Sequence, residues 1–289
     1  MRKFWYLTAI CLIAIGVYGA LNNDWTAGDK DLIDFEKEWT FSADELRDFS
    51  VDSSYNVSVK FVKSTDGRNT IHLAGRGTER TAEQAQAAEI SGGSLQLDLV
   101  RKPARFLNVF NFDFRHNRQQ FVISVADGSR FDKLQLKTRS GNVHMDDASI
   151  LDIAAAKVSA NSGNVTIDGF RGGTLDVDVR SGNVKIGQAT ANLNASTNSG
   201  NLTVEDLTGP ARLSANSGNV KLYKLDNADA DVSTGSGNAY VQVPFGFPGF
   251  FDTKAGSGRT RTPEARRETS DSVKVRTGSG NITIEEAKG

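Results

Sequence analysis

Three histidines, one cysteine and a spaced row of carboxylates are the residues of this chain that could carry chemistry, and their spacing argues against most of it. His72, His116 and His144 fall at no metal-ligand spacing, and Cys11 sits inside an apolar N-terminal run, so a zinc site lacks ligands. No Gly-x-Ser-x-Gly elbow supports a Ser-His-Asp triad. Asp146, Asp168, Glu205 and Glu285 each follow a pair of alternating apolar residues and could stack on one face, as the paired carboxylates of a glycoside hydrolase would. Gly187, Tyr223 and Gln242 interrupt that row, so solvated charges that oppose edge pairing account for it more simply. The expectation is a protein without catalytic residues, metal or cofactor.

What the chain has in abundance is Ser-Gly-Asn. The triplet begins at Ser140, Ser162, Ser181, Ser199, Ser217, Ser236 and Ser279, with a degenerate Ser257-Gly258-Arg259 in the gap, in steps of 22, 19, 18, 18, 19, 21 and 22 residues. The predicted turn residues are Gly141 and Asn142, Gly163 and Asn164, Gly182 and Asn183, Gly200 and Asn201, Gly218 and Asn219, Gly237 and Asn238, and Gly280 and Asn281. Glycine takes positive φ without a Cβ clash, and asparagine bonds local backbone and can stack into an amide ladder. A structural turn is favoured over a phosphate loop, which would need a Gly-Lys-Ser/Thr ending, and over a calcium repeat, which would need the acidic residue of its nonapeptide.

Alternating apolar residues flank the triplets: Val143/Met145, Val165/Ile167, Val184/Ile186, Leu202/Val204, Val220/Leu222, Ala239/Val241 and Ile282/Ile284 after them, Leu134/Leu136, Leu175/Val177, Leu193/Ala195, Leu213/Ala215 and Val273/Val275 before. Period two means strand. A unit with two short strands and two bends cannot bury its apolar row alone, whereas stacked units share one core. The predicted fold is all-β, a single-stranded parallel β-solenoid with 18–22 residues per coil, rising about 4.8 Å per coil.

Arg2 and Lys3 precede the uncharged residues 4–21, and Asp24, Asp29 and Asp31 follow. That asymmetry puts the rest of the chain outside the cytoplasmic membrane, with residues 1–21 either a retained single-pass anchor or a cleaved signal peptide and the protein then secreted. Ile10 before Cys11 argues against a lipoprotein box, and no disulfide is available to the exported part. A net charge of −1 favours no nucleic acid. Residues 22–33 read as a polar spacer, 34–133 as irregular β coils or an N-terminal cap with a short helix at 81–89, and 134–289 as the regular solenoid with an irregular insertion at 244–272.

Two segments combine cations with aromatics. In the first, 101–118, Phe110, Phe112 and Phe114 alternate and belong to a core. In the second, prolines and glycines break strand geometry around Phe247, Phe250 and Phe251, which with Arg259, Arg261, Arg266 and Arg267 make a candidate contact surface for an envelope polymer, anionic lipid or protein partner.

Thr138-Arg139-Ser140-Gly141-Asn142-Val143 and Ala160-Asn161-Ser162-Gly163-Asn164-Val165, the later copies, and the strand-then-proline Val241-Gln242-Val243-Pro244 resemble the bacterial putative-adhesin family of exported β-strand-repeat proteins. The likeness covers most of residues 35–287. It implies a β-solenoid at the cell envelope and, for some relatives, association with envelope-stress responses, and it carries over no catalytic residue. The leading expectation is therefore a non-enzymatic, membrane-tethered module for binding, adhesion or scaffolding. Its rivals are an envelope-stress sensor and a carbohydrate-active β-helix enzyme.

Overall fold

The computed structural model describes residues 32–100 and 118–289. The expected anchor at 1–21 with Cys11, nearly all of the spacer, the aromatic segment 101–114 and His116 lie outside the described residues.

The described chain is all-β with one short helix. Its N-terminal part comprises β1 (Leu32–Phe41), β2 (Asp48–Ser53), β3 (Asn56–Lys63), β4 (Asn69–Thr78), α1 (Glu79–Ala87), β5 (Ser94–Leu99) and β6 (Arg118–Val125). The repeat region comprises β7 (Arg130–Thr138), β8 (Val143–Met145), β9 (Asp152–Ser162), β10 (Val165–Ser181), β11 (Val184–Ser199), β12 (Leu202–Thr208), β13 (Ala211–Ser217) and β14 (Val220–Lys224). It continues through β15 (Ala230–Ser236), β16 (Ala239–Val243), β17 (Phe250–Ser257), β18 (Thr260–Arg261), β19 (Ser272–Ser279) and β20 (Ile282–Glu286).

Two ladders organise these strands. The first runs β1, β4, β6, β3, β8, β10, β11, β12, β14, β16, β20, β18. The second runs β5, β2, β7, β9, β10, β11, β13, β15, β19, β17. The long strands β10 and β11 belong to both because each turns the corner between them without ending. All pairings are parallel except those of β4 with β1 and β6.

Period-two alternation sends one row of each ladder inward. Val165 and Ile167, Val184 and Ile186, and Leu202 and Val204 from the first ladder meet Leu175, Leu193 and Leu213 from the second, all fully buried or nearly so. Each such side chain contributes about 1.5–3 kcal/mol by leaving water, and stacking is what makes that burial available to strands this short.

Chain order and stacking order agree over 143–243 and part at both ends. The β2/β3 rung sits between β7/β8 and β5/β6, although it precedes both in sequence. The β19/β20 rung sits between β15/β16 and β17/β18. Residues 244–272 are therefore not an irregular insertion within a coil. They carry a full rung, β17/β18, which overshoots and leaves one space that the following rung fills.

The N-terminal end is closed. Antiparallel β4 and β1 extend the first ladder, and Gly75 leaves room for Phe35, whose Cζ would lie 2.7 Å from a Cβ there. The helix α1, capped by Thr78, packs Thr81, Ala82 and Ala85 inward. Trp39 Nε1 ties β1 to the chain after α1 by donating to the Ala88 carbonyl at 2.8 Å.

One coil holds a buried lysine where its neighbour has Leu207. Lys224 bonds the Gly209 carbonyl, and its ammonium lies 2.5 Å from Asp226 Oδ1. The other carboxylate oxygen of Asp226 accepts the Gly209 N–H at 2.8 Å. Burial pulls the Lys224 pKa below the ordinary lysine value of 10.5, with Asp226 opposing the shift. Asp226→Asn, which strands a buried cation, is expected to cost roughly 3 kcal/mol of unfolding free energy at neutral pH. Lys224→Met should be nearly neutral because it removes the charge with its partner's task. Stability itself should rise with pH between the depressed pKa and 10.5, and the Asp226→Asn deficit should narrow just below that window, where the variant's lysine, without the carboxylate that opposes the shift, has already lost its proton, as urea titrations at several pH values would read.

Candidate functional site

The triplets form a bend stacked rung on rung. Gly163, Gly182, Gly200, Gly218, Gly237 and Gly280 have φ between +142° and +149°, a region closed to side chains. A second constraint is packing: a Cβ on Gly200 would stand 2.0 Å from the Gly182 carbonyl oxygen, and the other copies are alike. Gly141 needs no positive φ, and its constraint is the Tyr55 carbonyl, 2.2 Å from a Cβ.

The expected asparagine ladder is present in a particular form. Each side-chain Oδ1 accepts the backbone N–H of the equivalent residue on the next rung, running from Asn56 through Asn142, Asn164, Asn183, Asn201, Asn219, Asn238 and Asn281 to Arg259, at 2.7–3.0 Å. Within this row Asn219 also donates from its side-chain amide to Asn201 Oδ1, at 3.2 Å. The side-chain oxygens of this row are thus spent on the backbone of the next rung, which makes the bend's asparagines structural links.

Parallel register does set the carboxylates in one outward row. Met145 pairs with Ile167, Ile186 with Val204 and Val241 with Ile284, which aligns Asp146, Asp168, Glu205 and Glu285. Only Asp146 and Asp168 are neighbours. His144 joins them, with Nε2 3.4 Å from Asp168 Oδ2, and ligand atoms of the three all lie within 4.8 Å of one another. Spacing in sequence hid this cluster, because residues 22 apart meet only once the register is known. Asp146 already has partners of its own: Lys60 lies 3.7 Å from one oxygen, and the other accepts the Asp147 N–H at 3.0 Å. Glu205 pairs with Lys185 at 3.4 Å, and Glu285 accepts from the Tyr240 hydroxyl at 3.3 Å. A depression of about 320 Å³ on the other face has a single carboxylate, Asp178, among its lining residues. Glycoside hydrolysis by the common routes needs two.

At the far end the candidate contact surface divides. Phe247 is 2% exposed, so its expected place at an exposed tip is corrected: it turns inward and stacks on Phe251 at 5.4 Å between ring centroids, plugging the end of the core. Phe250 and Phe251 are half-buried. Arg259, Arg261, Arg266 and Arg267 are exposed, and Phe245, which sequence reasoning passed over, is 69% exposed. Arg276 forks onto Asp252, bonding its carboxylate at 2.5 Å and its carbonyl at 2.7 Å, and that contact holds the Asp252 carboxyl below the usual carboxylate range. Among the described residues no helix is long and apolar enough to cross a membrane.

Solved structures of similar proteins are bacterial. One, a candidate adhesin from Bacteroides fragilis, is 15% identical with a TM-score of 0.37, over 89% of this chain and 98% of that one. A candidate adhesin from Parabacteroides distasonis is 13% identical with a TM-score of 0.38, over 90% and 98%. A candidate lipid-binding protein from the same species is 12% identical with a TM-score of 0.37, over 88% and 97%. No curated protein sequence matches. The family model described as Toastrack DUF4097 matches residues 46–285, which takes in nearly every rung of both ladders, and the chain belongs to that family.

Proposed function

We propose that the chain is a non-enzymatic cell-envelope binding module, a β-solenoid rod attached at its N-terminal end and meeting its partner with the other. The observation that carries this reading is the contrast between the ends. The chain enters at β1, where antiparallel strands and α1 close the stack. At the opposite end Phe251, Thr253 and Ala255 occupy core register yet stay half-exposed, beside exposed Phe245 and the four arginines. Residues 4–21 supply the attachment as a single membrane pass, or, if cleaved, leave the rod secreted.

Glu264, Glu268 and Asp271 share the end segment with Arg259, Arg261, Arg266 and Arg267. Charges of both signs suit pairing with a protein surface better than adsorption to a uniformly anionic sheet. The full chain is expected to be retained on envelope fragments at low salt and released at high salt, because the Debye length falls from about 10 Å at 0.1 M to about 3 Å at 1 M. Changing the four arginines to glutamine should remove the salt-sensitive part without moving the urea midpoint. Equal retention on protein-free anionic vesicles would transfer the partner to lipid, and retention indifferent to salt would remove this surface from the reading.

A further inference from the structure

We propose that the partner of the open end is a second copy of this chain, joined through β17 in an antiparallel, two-fold pairing centred on Thr253. This deepens the reading of the far end as a contact surface and rests on it.

The backbone comes first. β17 pairs with β19 and, among the described residues, with no other strand; the chain at 267–269 bonds the Pro248 and Gly249 carbonyls just before it and leaves the edge from Phe251 onward without a ladder partner. The Phe250 N–H donates to the Asp271 carbonyl at 3.0 Å, toward β19. Strand alternation then turns the N–H and C=O groups of Phe251, Thr253 and Ala255 onto the open edge. An antiparallel neighbour centred on Thr253 uses those residues as its hydrogen-bonded pairs, so the parity of the edge is right for self-pairing.

Side chains agree with that register. Across the two-fold axis Asp252, whose carboxylate also takes the Arg276 guanidinium of its own copy, meets Lys254 of the second copy, and Lys254 meets its Asp252. Phe251 faces Ala255, and Phe250 faces Gly256, large against small on both faces. Opposite charges set directly across a ladder stabilise an antiparallel pair, and like charges oppose it. The half-exposed inward row of Phe251, Thr253 and Ala255 would also gain the next rung that every interior coil has.

The other long edge is built to refuse such pairing. β1 carries Asp34, Glu36 and Glu38 along its length, so a second copy would bring carboxylates together. Lys37, the cation among them, is already spent on the carbonyls of Gln86 and Ala88. The two ends therefore differ in charge pattern as well as in closure. Pairing through β17 sets the N-terminal ends at opposite extremes of a double rod on the order of 90 Å long, from ten strands in each copy's second ladder at about 4.8 Å spacing. Copies attached to facing surfaces would meet end to end.

Cysteine cross-linking of the full chain in a Cys11→Ser background tests this. Thr253→Cys places two thiols across the axis, where paired Cα atoms stand about 5.5 Å apart, within disulfide reach. Mild oxidation should give a species of doubled mass on a non-reducing gel, whereas Ser214→Cys, mid-stack on an outer face, should stay monomeric. Adding Lys254→Asp to Thr253→Cys should cut the doubled species severalfold with the urea midpoint unchanged. Absence of the doubled species, equal cross-linking at Ser214→Cys, or indifference to Lys254→Asp would each overturn the proposal. Envelope retention with no cross-link would leave the contact surface in place and exclude a second copy as its partner; cross-linking without retention would do the reverse.

Discussion

Gly200→Val is expected to unfold the centre of the stack, while Asn201→Ala one residue away is expected to be tolerated. Gly200 has φ +146°, which a β-branched residue cannot adopt without strain of about 1–3 kcal/mol. Its Cβ would also stand 2.0 Å from the Gly182 carbonyl oxygen, and forcing atoms into a packed site adds about 1–3 kcal/mol more. The clash is with backbone on the next rung, so relief requires opening the ladder between β11 and its neighbour. Asn201 presents the contrary case. Its Oδ1 accepts the Asn219 N–H at 3.0 Å on an exposed edge, where water replaces a lost acceptor, and the deletion should cost about 0.5–1.5 kcal/mol. Urea midpoints of the two variants decide the matter. Similar small losses would mean the bends are not stacked as described.

Much of this was legible in the sequence because the repeat ties local chemistry to stacking. Ser-Gly-Asn followed by alternating Val/Ile/Leu specifies bend, strand and inward face together, and the short helix before Ser91 follows from its Ala, Glu and Gln content. The order of the rungs was not legible, since every rung presents the same two edges to its neighbours and period-two patterning is blind to which neighbour arrives. A signal existed in the degenerate copies. Arg259 replaces asparagine where the ladder ends, because an outermost rung has no further N–H to accept. Ser54-Tyr55-Asn56 is likewise a triplet with tyrosine for glycine, and Asn56 opens the ladder although it lies 86 residues before Asn142. A degenerate triplet in the interior of the sequence marks a rung near an end of the stack. The cluster of His144, Asp146 and Asp168 escaped for the same reason, being a product of register, and Phe247 was misplaced because burial at a rod's end follows from closing a core and not from strand alternation.

Ending the chain at Asp271 is expected to remove two rungs although it deletes only one. In a solenoid stacked in chain order the last coil is a terminal rung, and its loss would trim the rod and leave the remainder protected. Here β19 and β20 are interior. Among the described residues β17 pairs only with β19, and β18 only with β20, so the deletion leaves residues 250–261 without a ladder. It also withdraws Val273, Val275, Ile282 and Ile284, each at most 1% exposed. Four such side chains account for roughly 6–12 kcal/mol of burial, a sum comparable to the whole stability of an ordinary domain. The vacated space cannot be refilled at equal gain by moving β17 inward, since Thr253 would take the place of Val275 and Phe251 that of Val273, one exchange placing a hydroxyl in the core and the other overfilling it. Amide hydrogen exchange should therefore lose protection at 250–261 in the truncated chain, together with the edge of β15 and β16 that β19 and β20 covered, while β9 to β13 keep theirs. Protection retained at 250–261 would show that β17/β18 can seat directly on β15/β16, and the rung order described here would not be required by the fold.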